Sequence, residues 1–187
     1  MKKTFLILTA AFALASCKKE NNNGNPAPQE TRFGYNKTGH RWVYDFVYNG
    51  QVVDSLVNEI TADSNGMYTM VSKDQALAQI NYLFVDGDYL RSYVKGRAKA
   101  DAIRVGKHNA KQGDTWLDIS NAGDSTESVI SEVNAPVTVP AGTFTCTAVF
   151  VKDYKNKYTF TNYIDPKAGL VKIDMGTIKY ELRSKNF

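Results

Sequence analysis

Two cysteines, two histidines and scattered carboxylates are the groups in this 187-residue chain whose types could do chemistry. Cys17 follows Leu14-Ala15-Ser16, at the end of a charge-free run from Thr4 to Ser16 that is itself preceded by Lys2-Lys3. Sulfur reacts as the thiolate nucleophile, so the surroundings of each thiol decide its use. Cys146 lies between Thr145 and Thr147 in a strand-like stretch. A catalytic thiol needs a neighbouring histidine to lower its pKa, and neither His40 nor His108 stands in a recognisable partner motif. Cys146 therefore reads as a small core hydrophobe. Cys-x-x-Cys, His-x-x-x-His and calcium-loop spacings are missing, as are a Gly-x-Ser-x-Gly elbow and a phosphate loop. The expectation is a chain that is not an enzyme and takes no metal or cofactor. Asp45 and Asp54 are the one weak exception. If Asn49-Gly50 is a two-residue hairpin turn, these carboxylates face each other, an unfavourable pairing that is relieved if the two share a proton, bind a cation or, the favoured reading, splay into solvent.

The elements that position these groups begin with an export signal. Met1-Lys2-Lys3, an uncharged run and a small-residue context before Cys17 have the shape of a secretory signal over residues 1–16, too short for the roughly 20 residues a membrane span needs. Leu14-Ala15-Ser16-Cys17 resembles the lipobox of bacterial lipoproteins. That resemblance implies cleavage between Ser16 and Cys17 and a diacylglyceryl thioether on the Cys17 sulfur. One acyl chain anchors only marginally, whereas two or three hold stably. Residues 17–32 join the anchored cysteine to the rest. They contain almost nothing apolar, which reads as a disordered tether with an r.m.s. reach of roughly 20 Å. Lys18 stands where an Asp would resemble an inner-membrane retention signal, so the outer membrane is the expected address, with the periplasmic or surface face open.

Cleavage would leave 171 residues, which suits one domain over residues 33–187. Removing Lys2 and Lys3 lowers the basic count from 23 to 21 against 19 acidic residues, a balance too even for nucleic acid. Trp42, Tyr44, Phe46 and Tyr48 alternate with a strand's two-residue period. In the two-residue-loop register Tyr48 faces Gln51, Phe46 faces Val53 and Trp42 faces Val57. Val43, Val47, Val52 and Leu56 make the other face apolar too, so both faces are covered or one lines a cavity. Turn signals continue at Asp63-Ser64-Asn65-Gly66, Asp86-Gly87 and Asn121-Ala122-Gly123-Asp124. Residues 95–112 read as irregular, with room for one short strand. The expected fold is all-β: an antiparallel curved sheet of about ten to twelve strands, as a half-open barrel or a sandwich. Gly39-His40-Arg41-Trp42 and Gly113-Asp114-Thr115-Trp116 echo each other, each reading as a glycine turn that delivers a tryptophan to a core strand.

Val139-Pro140-Ala141-Gly142-Thr143-Phe144, Pro166-Lys167-Ala168-Gly169-Leu170-Val171-Lys172 and Gly113-Asp114-Thr115-Trp116 carry a family resemblance over residues 39–183. The chain resembles a group of uncharacterised exported lipoproteins frequent in Bacteroidota. It also bears a distant fold-level analogy to the half-open barrels of the lipoprotein carriers LolA and LolB. These motifs are turns and strand starts: Pro140 removes a ladder donor at a corner and Gly142 supplies a positive φ. Asp54-Ser55-Leu56 and Asp124-Ser125-Thr126 resemble the O-glycosylation sequon of Bacteroidota, which marks Ser55 and Ser125 as acceptors. What remains is an envelope lipoprotein with a non-enzymatic β domain that binds a hydrophobic ligand, a glycan or a partner protein; the rival is a structural or assembly lipoprotein with no pocket, and an enzyme, which would need polar groups from distant strands to converge, ranks last. The lipidation reading is checked by metabolic labelling with a palmitate precursor. Label should enter the chain, and Cys17→Ser should abolish it and release the protein from the membrane fraction.

Overall fold

A computed structural model describes residues 32–121 and 123–187. The signal, the lipobox with Ser16 and Cys17, and nearly all of the tether lie outside the described residues. No described helix is long and apolar enough to cross a membrane. The described chain is a twelve-stranded antiparallel meander: β1 (Arg41–Tyr48), β2 (Gln51–Ser64), β3 (Met67–Lys73), β4 (Ala78–Asp86), β5 (Tyr89–Val94), β6 (Ile103–Lys107), β7 (Thr115–Ile119), β8 (Ser125–Val139), β9 (Gly142–Asp153), β10 (Tyr158–Asp165), β11 (Gly169–Asp174) and β12 (Ile178–Lys185). One 3₁₀ turn, Lys99–Asp101, precedes β6. Of the two architectures expected, the sheet takes the barrel form, and the irregular segment contains the one short strand β6.

Strand order runs β6-β5-β4-β3-β2-β1-β12-β11-β10-β9-β8-β7. Two six-stranded halves are therefore joined by the ladder between β1 and β12, and their outer edges, β6 and β7, meet on the far side. That seam is closed by side chains. Arg104 Nε donates to Asp118 Oδ1 at 2.8 Å, the Arg104 backbone N–H donates to Asp118 Oδ2 at 3.0 Å, and Arg104 Nη2 donates to the Leu117 carbonyl at 2.7 Å. Above this pair the Asn121 N–H donates to Asp101 Oδ1 at 2.8 Å, and below it Lys107 pairs with Asp114. Tyr89 supports the latch, its ring 5.1 Å from the Arg104 guanidinium carbon and edge-on to Trp116 at 5.5 Å.

The tryptophan echo is borne out in geometry. Gly39 N–H donates to the Ile60 carbonyl and Ile60 N–H to the His40 carbonyl; Gly113 N–H donates to the Ile130 carbonyl and Ile130 N–H to the Asp114 carbonyl. Both glycines have positive φ, and Trp42 and Trp116 enter separate core clusters.

Three sequence expectations need correction. A bulge between Phe46 and Val47 leaves Val53 unpaired, so Phe46 faces Asp54 and Trp42 faces Asn58. Asp45 therefore faces Ser55, and the carboxylate pair does not form. Nor is Asp45 solvated: it is buried against the outer wall, where Arg183 Nη1 donates to it at 3.0 Å. Strand β8 runs unbroken from Ser125 to Val139 through bulges between Ile130 and Ala135, with Asn134 at positive φ.

Because Asp118 is nearly buried and Arg104 mostly so, removing one partner strands the other. Asp118→Ala should cost about 3 kcal/mol in urea unfolding, and the double change Arg104→Met with Asp118→Leu should recover much of that loss.

Candidate ligand-binding cavity

Eight strands make a barrel whose own side chains just fill it. Twelve enclose more room, and the chain fills only part of it. One end is closed by the segment leading into β1. Phe33 and Tyr35 are buried there, and two glycines make space for them. A Cβ on Gly169 would lie 2.9 Å from the Tyr35 ring, and one on Gly106 would lie 3.4 Å from Phe33. Arg32 fastens the segment to the β4–β5 turn through the Gly87 carbonyl and Asp88. The tip of the β8–β9 hairpin bends over the same end, its Ala141 N–H donating to the Leu182 carbonyl. Both family-type turns, at Pro140 and at Pro166, thus lie at the closed end of the barrel.

Between this floor and the opposite mouth lies a cavity of about 310 Å³, at the small end of the ~300–1,000 Å³ typical of small-molecule sites. Its wall is largely apolar, with Tyr44, Met70, Leu83, Leu90, Phe160 and Ile173 among its lining residues. Trp42 Nε1 donates to the Ala168 carbonyl at 2.7 Å, and the Tyr44 hydroxyl donates to the Leu170 carbonyl at 2.8 Å. Both bonds reach past β12, one to β11 and one to the turn that leads into it, and hold the rings against the wall. Burial pushes the Tyr44 hydroxyl far above the usual tyrosine range, with a smaller contribution from Tyr35.

Three asparagines interrupt the apolar lining: Asn36 on the floor segment, Asn58 on β2 and Asn162 on β10. Asn36 Nδ2, Asn58 Oδ1 and Asn162 Oδ1 are buried without a hydrogen-bond partner. No Lys, Arg, His, Asp or Glu side chain lines the cavity among the described residues. At the mouth, Leu77, Ile103, Ile119, Tyr158 and Met175 are exposed on turns and strand ends.

A second recess, of about 580 Å³, lies at the closed end and shares Tyr35 and Ile164 with the first. Arg32, Lys107, His108, Cys146, Asp165 and Lys167 line it. His108 and Cys146 thus share a recess. Burial, then the charge of Asp165, pushes the Cys146 thiol up to about 12, the reverse of what a nucleophile requires. His40 is structural, its Nδ1 2.8 Å from the Tyr35 carbonyl and its ring stacked on Phe187 at 4.0 Å.

Of the proposed O-glycosylation acceptors, Ser125 is half-buried at the start of β8 and Ser55 is half-buried within β2. Asp124 is tied to Lys155, and Asp54 accepts from the Ser55 backbone N–H. For glycan stacking, the outer wall offers Tyr82, Phe84 and Tyr93, packed on one another at 5.1 and 6.3 Å and covered on the Phe84 face by Lys99.

Sequence reasoning missed Asn36, Asn58, Asn162, Arg104 and Asp118. For several of them the signal was present. Asn58 falls between Leu56 and Ile60, Asn162 between Phe160 and Ile164, and Asp118 two after Trp116, each a polar residue on an apolar alternation in strands where Asn and Asp are depleted.

No family model matches the chain, and no curated protein matches it. A crystal structure of a protein described as exported, with a YmcC-like fold, from Bacteroides fragilis, is similar at 12% identity. The match covers 81% of this chain and 97% of that one with a TM-score of 0.49. A likeness of that strength carries no argument about ligand or address.

Proposed function

We propose that this chain is a lipid-anchored outer-membrane protein whose barrel binds a hydrophobic small molecule without transforming it. The single observation that carries the binding reading is the largely apolar cavity of about 310 Å³ beside the main hydrophobic core cluster. A purely structural lipoprotein has no need to keep such space, because an apolar void forfeits contacts that larger side chains would supply. The mouth suits this reading as well, since Leu77, Ile103 and Met175 are exposed there and offer an apolar guest a first contact. The anchor rests on the lipobox at Cys17 alone, and the absence of catalysis rests on the raised Cys146 thiol and the uncharged lining. A glycan in the cavity is disfavoured, because its many hydroxyls would meet few polar partners.

The binding reading is tested with N-phenyl-1-naphthylamine, a neutral apolar fluorophore. Titration should show one saturable site per chain, with the fluorophore quenching Trp42 on the cavity wall. Met70→Trp, which fills the cavity from β3, should weaken binding at least tenfold while leaving the far-UV circular dichroism unchanged. No saturable binding to the unsubstituted chain would overturn the reading.

A further inference from the structure

We infer that the cavity takes an uncharged amphiphile, an apolar body ending in a group that both donates and accepts hydrogen bonds, with that polar end set among the three asparagines of the lining. The inference rests on the ligand-binding reading and adds the class of ligand. Asn36 and Asn58 are each more than nine-tenths buried, and each has an amide atom with no partner, Nδ2 in the first and Oδ1 in the second. Asn162 adds a third buried orphan, its Oδ1, from the opposite half of the barrel. Buried polar atoms in a folded chain are almost always satisfied. Three residues that line one cavity thus each carry an orphan amide atom, and a guest with matching polar groups would satisfy them.

The chemistry of that partner follows from the donor and acceptor inventory. An orphan N–H asks for an acceptor, and two orphan carbonyl oxygens ask for donors. A hydroxyl or a primary amide offers both on one small group; an ester or ether offers only acceptors. A carboxylate or ammonium is excluded by the lining, because no ionised side chain of the described residues faces the cavity and an unpaired buried ion is strongly disfavoured. Asn36 belongs to the floor segment, Asn58 lies mid-way along β2 between Trp42 and Ser72, and Asn162 lies mid-way along β10. The polar end of the guest therefore lies among these three asparagines, and its hydrocarbon lies against the apolar remainder of the lining.

The test compares three probes of one length, decane, 1-decanol and decanoate at pH 8, on the full chain carrying Cys17→Ser so that no acyl chain of its own competes. Binding is followed by calorimetry and by Trp42 fluorescence. Decanol should bind at least tenfold tighter than decane, and decanoate should not bind measurably. Asn58→Leu should weaken decanol about tenfold, leave decane within twofold, and raise the melting temperature of the empty chain by removing an orphan. Asn162→Leu is the second variant, read in the same way should the first fail to fold. If decane binds as tightly as decanol, or the leucine variants leave their ratio unchanged, water satisfies the asparagines and this inference fails while the cavity reading stands. Decanoate binding as tightly as decanol also overturns it. If no probe binds, the cavity reading itself fails, and this inference with it.

Discussion

The Arg104–Asp118 pair closes a circle that the backbone leaves open. A twelve-stranded sheet has two edges, and each edge presents unpaired N–H and C=O groups that invite further strands. In this chain both edges belong to short strands, β6 and β7, five residues each, and the pair is set between them. Asp118 accepts from both the side chain and the backbone N–H of Arg104, so one carboxylate satisfies an edge donor and compensates a buried charge together. Everything inside follows from that closure. With the seam shut, the inner face becomes an enclosed lining; with it open, Trp116, Ile130 and Leu90 would lie on a curved sheet facing water.

The two halves of the barrel differ at just this point. Each starts with a glycine at positive φ and a tryptophan on the strand beside an isoleucine whose backbone accepts one bond and donates another in the same pattern. In the first half, β1 continues into a full ladder with β12. In the second, the equivalent strand β7 meets β6 through side chains. Two residues after each tryptophan the halves diverge: Tyr44 anchors to the Leu170 carbonyl, while Asp118 forms the latch. The sheet can therefore be held firmly on one side and by a few polar contacts on the other.

The all-β class, the strand rhythm and the sense that the first hairpin is apolar on both faces were legible in residues 42–57, because period-two alternation and turn dipeptides are local signals. The bulge at Val53 was not legible. Nothing in Asn49-Gly50 or its flanks announces an extra residue, and its effect is to move Asp45 from a like-charge pair into contact with Arg183, a residue of the last strand. Closure was not legible for the same reason: Arg104 lies in a stretch whose charge pattern reads as irregular, and its partner is known only once the sheet has curved. The cavity asparagines were readable only as interruptions. Asn58 or Asn162 alone resembles an ordinary strand polar residue, and their sharing of one lining requires β2 and β10 to be brought together across the barrel.

Cavity and closure are best examined together by a crystal structure of the full chain purified from its own cells without delipidation. The expected result is continuous β6–β7 closure at Arg104–Asp118 and elongated electron density between Asn58, Leu83 and Phe160. A sheet open at that seam, or an interior filled by Met70, Leu90 and their neighbours with no space for a guest, would contradict a closed barrel that holds a hydrophobic molecule.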